Sequence, residues 1–199
     1  MFIKSKKKLQ RGLSLIEASM VLALSAIVVS GVMYYYQSAS DNNKTQNTVS
    51  ELMSIVSAVN GLYAGQQNYK GLDGAVLYNT SAVPENYKSS TNNQKKITHP
   101  FGDEVNIGPV GNNGDDGYYV LLKQIPKAAC VNLATMNFGT SMAGVGVKVT
   151  DSTLKTKATQ KLGAAANATQ GTMYTGAFTP SQASSVCSDD YNDIGYQLK

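Results

Sequence analysis

The chain opens with two contrasting hydrophobic patterns, one continuous and one periodic. Residues 13–36 form a run of 24 positions that is apolar on every face and carries one charge, Glu17, among a few small polar residues. At ~1.5 Å per residue such a helix is about 36 Å long, enough to cross a ~30 Å hydrocarbon layer. Polar residues occupy 37–48, and then Val49, Leu52, Met53, Val56, Val59, Leu62 and Tyr63 recur at intervals of three and four. That spacing predicts the apolar face of an amphipathic helix, with Ser and Asn on the solvated side. The two patterns join into one helix over about 13–63, its first half exposed and its second half packed on a domain. Gly61 or Gly65 is the expected terminator.

From residue 66 the pattern is that of an α+β domain. Strands are predicted over 75–78, 104–107, 118–125 and 144–150, with a closing strand over 193–198. Pro126 is placed as the first residue of a helix reaching about residue 137. Thr179-Pro180 pairs an N-cap with a proline at the first helical position, opening a short helix to about Cys187. Antiparallel strands beside the long helix make a sheet-on-helix domain. The Ala-, Thr- and Lys-rich stretch 153–176 is left open between helix and loop.

Charge sharpens the first pattern. The 199 residues contain 17 Lys+Arg and 13 Asp+Glu, for a net of +4. Five of the basic residues, Lys4, Lys6, Lys7, Lys8 and Arg11, lie in the first twelve positions, where there is no acid. Without residues 1–12 the balance is 12 basic against 13 acidic. The basicity belongs to a leader, and no nucleic-acid partner is expected. Basic residues ahead of an apolar helix stay cytoplasmic, which sends everything after Tyr36 across the membrane. The run is too long for the ~7–15-residue core of a secretory signal, and no small-residue cleavage site follows it.

Glu17 does not belong in an ordinary anchor. A carboxylate inside an apolar helix is expensive and is a functional candidate by default, although at the membrane edge it could reach the headgroups. It needs a cationic partner. If the chain were cut after Gly12, the new α-amino group of Leu13 would supply one.

The segment Lys6-Lys7-Lys8-Leu9-Gln10-Arg11-Gly12, then Leu13-Ser14-Leu15-Ile16-Glu17 and the apolar helix, resembles the class III signal of type IV prepilins. Within that superfamily it is most similar to the bundlins, type IVb pilins that are major subunits of bundle-forming pili. The likeness covers 11–41 and resumes at Asn60-Gly61-Leu62-Tyr63, Gly71-Leu72-Asp73, Asn86-Tyr87-Lys88 and Pro100-Phe101-Gly102. It continues at Gly117-Tyr118-Tyr119, 127–131 and Gly139-Thr140-Ser141, and weakens over 143–186. Leu13 in place of phenylalanine fits the IVb group, whereas the short leader is less typical of it.

The resemblance implies a maturation and an assembly route. A prepilin peptidase would cut between Gly12 and Leu13 and methylate the Leu13 amine. Glu17 would then align the subunit by pairing with a neighbour's terminus. Further implied partners are inner-membrane assembly machinery, an outer-membrane secretin, other copies of the chain and a host cell surface. The precursor would sit in the inner membrane with its domain in the periplasm, and the mature form in an extracellular pilus. The domain plan is a leader at 1–12, a membrane or filament-core helix at 13–36, an amphipathic half at 37–65 and a pilin domain at 66–199.

The two cysteines, Cys130 and Cys187, fall in the predicted short helices. In an oxidising periplasm they are expected to pair. Closing a loop of roughly 58 residues stabilises by about 4 kcal/mol in the chain-entropy model. By analogy with pilins the bond would bracket the outward-facing region 130–187. Catalytic chemistry has little to work with. There is no Gly-x-Ser-x-Gly, no phosphate loop and no His pair, and His99 before Pro100 reads as a loop residue. Asp115-Asp116 and Asp189-Asp190 with Asp193 read as solvated turns rather than calcium ligands. No cofactor, metal or enzymatic activity is expected. The favoured reading is a type IVb pilin, adhesive and bundling. Its rivals are a type II secretion pseudopilin and, in a different class, a signal-anchored periplasmic binding domain.

Overall fold

The computed structural model describes residues 14–91, 94–163 and 167–199. The first helix, α1, runs Leu15–Tyr63. The chain divides into two units, one ending at Ser40 and one running from Asp41 to Lys199.

In the first unit the helix is uncovered by the described residues. Every described residue from Ser14 to Ala39 is exposed, including Leu15 at 90%, Leu22 at 71% and Ile27 at 70%. Two of its serines are satisfied within the helix. The Ser19 and Ser25 hydroxyls donate to the carbonyls of Ile16 and Val21, which lets them sit in an apolar environment at low cost.

In the second unit α1 buries a stripe made of Thr48, Glu51, Leu52, Ile55 and Val59. The stripe keeps Leu52 and Val59 of the expected face and adds Ile55. Met53 and Leu62 are 54% and 47% exposed, while Ile55 is fully buried. Three and four residues apart, 48, 52, 55 and 59 define the contact line, with Val49, Val56 and Tyr63 half-buried beside it. The helix also stops differently from the expectation. Gly61 lies inside it, and the Gln66 amide donates to the Tyr63 carbonyl at 2.9 Å in a turn where Gly65 keeps out of the left-handed region.

Eight strands follow: β1 (Lys88–Thr91), β2 (Gln94–Thr98), β3 (Glu104–Pro109), β4 (Tyr118–Pro126), β5 (Met142–Val147), β6 (Gln160–Lys161), β7 (Tyr174–Thr175) and β8 (Tyr191–Leu198). Their order across the sheet is β1-β2-β3-β4-β8-β5-β7-β6, antiparallel except for the β6–β7 pair. The chain's last strand therefore lies at the centre, between β4 and β5. Four short helices accompany it: α2 (Gly74–Tyr78), α3 (Lys127–Ala134), α4 (Asp151–Leu154) and α5 (Pro180–Val186).

Three elements depart from the sequence reading. Residues 75–78 are helical, because the Asp73 carboxylate accepts from the Val76 amide and caps a first turn. Pro126 still pairs with Tyr191 as the end of β4, so α3 begins one residue later. The strand expected over 144–150 ends at Val147, where Lys148 takes a left-handed backbone. Thr179 caps α5 as expected, and Gln182 closes a capping box by accepting from the Thr179 amide.

The sheet is buried on both faces, one more layer than a sheet-on-helix domain. Tyr118, Val120 and Leu122 of β4 meet Leu52, Ile55 and Val59 of α1, together with Ile194, Tyr196 and Leu198 of β8. On the opposite face Tyr119 and Leu121 pack with Val149, Leu154, Ala158 and Met173. Two paired glycines permit that second layer. A Cβ on Gly195 would lie 2.6 Å from Leu154 and from Val149, and one on its partner Gly146 would lie 2.6 Å from the Met173 sulfur. Adjacent residues of β8 then hold the two sides. The Tyr196 hydroxyl donates to the Leu133 carbonyl at 2.6 Å, and the buried Gln197 amide donates to the carbonyls of Leu154 and Thr156.

Candidate assembly site

Of the residues singled out in sequence, Gly12 and Leu13 lie outside the described residues. Glu17 is described, in the first turn of α1, and one of its carboxylate oxygens accepts the Ser14 backbone amide at 3.1 Å. The bond joins positions three apart and satisfies one of the free donors at a helix start. Around it Leu15, Ile16, Met20 and Val21 are exposed, so Glu17 sits at the head of an uncovered apolar surface.

Cys130 and Cys187 form a disulfide with Cα atoms 5.8 Å apart. It joins α3 to the C-terminal end of α5, where Cys187 is the capping residue. Both residues are buried, at 0% and 2% exposure, within the core shared with Leu133 and Val186. The bond closes the segment that contains α3, β5, α4, β6, β7 and α5, a large part of the domain rather than one loop.

The acidic turns have lysine partners. Asp116 accepts from Lys157 at 2.6 Å, and Asp189 pairs with Lys148, which holds its carboxyl below the usual range. An Asp193 carboxylate oxygen accepts the Gln124 amide, whose residue adopts a left-handed backbone at the irregularity between β4 and β8. No cluster of three or more His, Cys, Asp or Glu side chains occurs among the described residues.

His99 is the expected loop residue, but a buried one. It is 1% exposed, its Nε2 lies 2.6 Å from the Lys123 carbonyl, and its Nδ1 accepts the Phe101 amide. Burial lowers its pKa, partly opposed by the Lys123 carbonyl and Asp103. Its geometry ties the β2–β3 turn to β4.

One residue that matters was missed. Glu51 is 5% exposed, and neither carboxylate oxygen has a hydrogen-bond partner among the described residues. Burial raises its pKa to about 8. The only sequence signal was its place three after Thr48 and four before Ile55, on the true contact line.

Comparison with known proteins decides the family. A family model described as Bundlin matches residues 37–197. The chain belongs to the bundlin family. Over 195 residues it is 52% identical to a protein named major structural subunit of bundle-forming pilus from Escherichia coli O111:H-, spanning 97% of this chain and 96% of that one. The protein of the same name from Escherichia coli O127:H6 (strain E2348/69 / EPEC) matches at the same identity and coverage. Two solved structures share the fold. A type IV b pilin from Salmonella typhi aligns with a TM-score of 0.54 at 17% identity, over 78% of this chain and 97% of that one. TcpA, a type IV pilin from Vibrio cholerae El Tor biotype, aligns at 0.55 and 14%, over 77% and 98%. This bundlin-family chain thus has the type IV pilin fold, an α+β domain with a long N-terminal helix. Its relatives are structural subunits, and it is a structural protein rather than an enzyme.

Proposed function

We propose that this chain is the major structural subunit of a type IVb pilus. The observation that carries the reading is the 52% identity to bundle-forming pilus subunits across nearly the whole of both chains. The precursor is inserted in the inner membrane by residues 13–36, with the domain in the periplasm. Prepilin peptidase cuts it after Gly12 and methylates Leu13. The inner-membrane assembly machinery then draws it into a filament that leaves through an outer-membrane secretin. The extracellular pilus serves adhesion, bundling and colonisation of a host surface.

The physical logic rests on the apolar half of α1. Outside lipid, residues such as Leu22, Ile27 and Val32, all more than 60% exposed, are stable only against other copies of the same helix. Assembly moves them from bilayer to filament core with no step in water. Glu17 acts in docking: it pairs with the Leu13 amine of a neighbour, and methylation leaves that amine charged. The charge supports close packing, since side chains of the processed chain balance to 12 basic and 13 acidic.

Mass spectrometry of the protein purified from the membrane tests the reading. An N-terminus at methylated Leu13 is expected. An intact Met1, or a cut elsewhere, overturns the prepilin route. Electron microscopy of surface filaments containing this chain then separates a pilus subunit from a pseudopilin.

A further inference from the structure

The buried carboxyl of Glu51 has no work to do in the isolated subunit, yet it lines an opening on the surface of α1. Asn47, Ser50, Glu51 and Ser54 form one wall of a 360 Å³ pocket, and Pro84 and Tyr87 stand on the other. A second pocket of 520 Å³ continues along the helix past Ser54, Ser57 and Gly61 to the exposed Leu62. Ser54 and Ala82 border both, and the Ser54 hydroxyl donates to the Ala82 carbonyl at 2.8 Å, fixing the floor between them. The result is a groove along the packed half of α1 with an unsatisfied acid at one end and an uncovered leucine at the other.

A carboxyl held dry without a partner destabilises a fold in either protonation state, because the acid form also leaves its donor and acceptor unused. Such a group is tolerated where a partner arrives later. The same chain carries the complementary excess. Lys70, Lys155, Lys161 and Lys199 are exposed and have no carboxylate partner among the described residues, whereas Lys88, Lys96, Lys123, Lys148 and Lys157 are all paired. A lysine suits the pocket: its methylenes can lie along Pro84 and the Tyr87 ring, and its ammonium can meet Glu51 among the polar side chains of Asn47 and Ser50.

We propose that the Glu51 pocket is a subunit–subunit socket that receives the ammonium group of an exposed lysine from a second copy of this chain. The inference rests on the filament reading above. It adds a polar lock on the domain to the apolar packing of the helices. The lock stays empty until a neighbour docks, so the subunit carries its cost and the filament removes it.

The test uses the full-length chain, as detergent-dispersed subunit and as filament. Glu51→Gln and Glu51→Met keep the side chain's bulk and remove its capacity to ionise. Both are expected to leave the dispersed subunit as stable as the parent or more so, by thermal unfolding. Both are expected to weaken filaments, with a lower dissociation temperature and a loss on the order of tenfold in filament mass. Carbodiimide treatment of parent filaments is expected to couple Glu51 to a lysine peptide of another copy, and to give no such coupling in dispersed subunits. Variant filaments that dissociate with the parent's overturn the inference, as does a filament loss matched by an equal loss of subunit stability. Coupling confined to lysines of the same copy overturns it too. Absence of this chain from any filament of the parent strain would sink the filament reading instead.

Discussion

The two halves of α1 are continuous in backbone and opposite in what surrounds them. Leu15 to Tyr36 is hydrophobic and wholly exposed, whereas the stretch from Thr48 to Val59 is more polar and buries a narrow stripe. Hydrophobicity thus fails to predict burial along this helix. The more apolar half is covered by none of the described residues, and in the proposed reading its partners are lipid or other copies. The mixed half has its partner in the sheet and needs only one side for it. An uncovered apolar surface of that size marks an interaction, while a buried stripe marks a fold. Glu17 and Glu51 repeat the contrast. The first is exposed and bonded to the Ser14 amide, and the second is buried and bonded to nothing described.

The sharpest way to break this comparison is to alter the head of the exposed half. Glu17→Ala should yield cleaved, membrane-held subunits with an unchanged domain and no filaments, scored by electron microscopy. Normal piliation would end the docking role. Replacing both Cys130 and Cys187 by serine acts on the other unit. It should cost about 2–5 kcal/mol of domain stability by denaturant titration. In the packed half Ile55→Ala should cost a similar ~2–5 kcal/mol, since the side chain is fully buried between α1 and β4. Val28→Ala on the exposed half, a comparable loss of apolar surface, should leave the domain's unfolding midpoint alone.

Titration offers a subtler probe of the packed half. Glu51 keeps its proton in the folded state up to about pH 8, while in the unfolded chain it loses it near 4.5. A raised folded pKa means that its contribution is fully present below the unfolded value and is lost as pH rises through the folded one. Relative to Glu51→Gln, the dispersed parent should therefore lose stability between about pH 4.5 and 8, by at most about 1.4 kcal/mol per pH unit. A flat difference across that window would mean the carboxyl is solvated. The smallest effect belongs to Met53→Ser, which should change domain stability by no more than about 0.5 kcal/mol because the side chain points outward.

Several elements were legible because their signals are local. The strand at 118–125 announced itself by the apolar run 118–122, that at 193–198 by the alternation of Ile194, Tyr196 and Leu198, and Thr179-Pro180 announced the start of α5. The edge hairpin was not legible. Lys88–Thr91 and Gln94–Thr98 are nearly all polar, as edge strands are when lysines guard them from further pairing. Residues 75–78 read as a strand because Ala-Val-Leu-Tyr suits one, and a single cap at Asp73 reversed it. Over so short a span, propensity is weaker than one hydrogen bond. The second layer over the sheet was invisible for a different reason. It depends on Gly146 and Gly195 facing each other, and register between distant strands leaves no mark in either segment alone.

By itself the sequence determined the basic N-terminal stretch, the apolar run with its one acid, the α+β character and the cysteine pair. Each is a property of neighbouring residues or of composition, so no knowledge of packing was needed. The tertiary structure decided which side of α1 faces the sheet, that β8 enters the centre of the sheet, and that His99 is buried. It also decided that Glu51, an ordinary glutamate on an amphipathic helix, is buried with no hydrogen-bond partner among the described residues. Solvation belongs to what surrounds a group, and Glu51's surroundings come partly from residues 82–87, more than thirty positions farther along the chain.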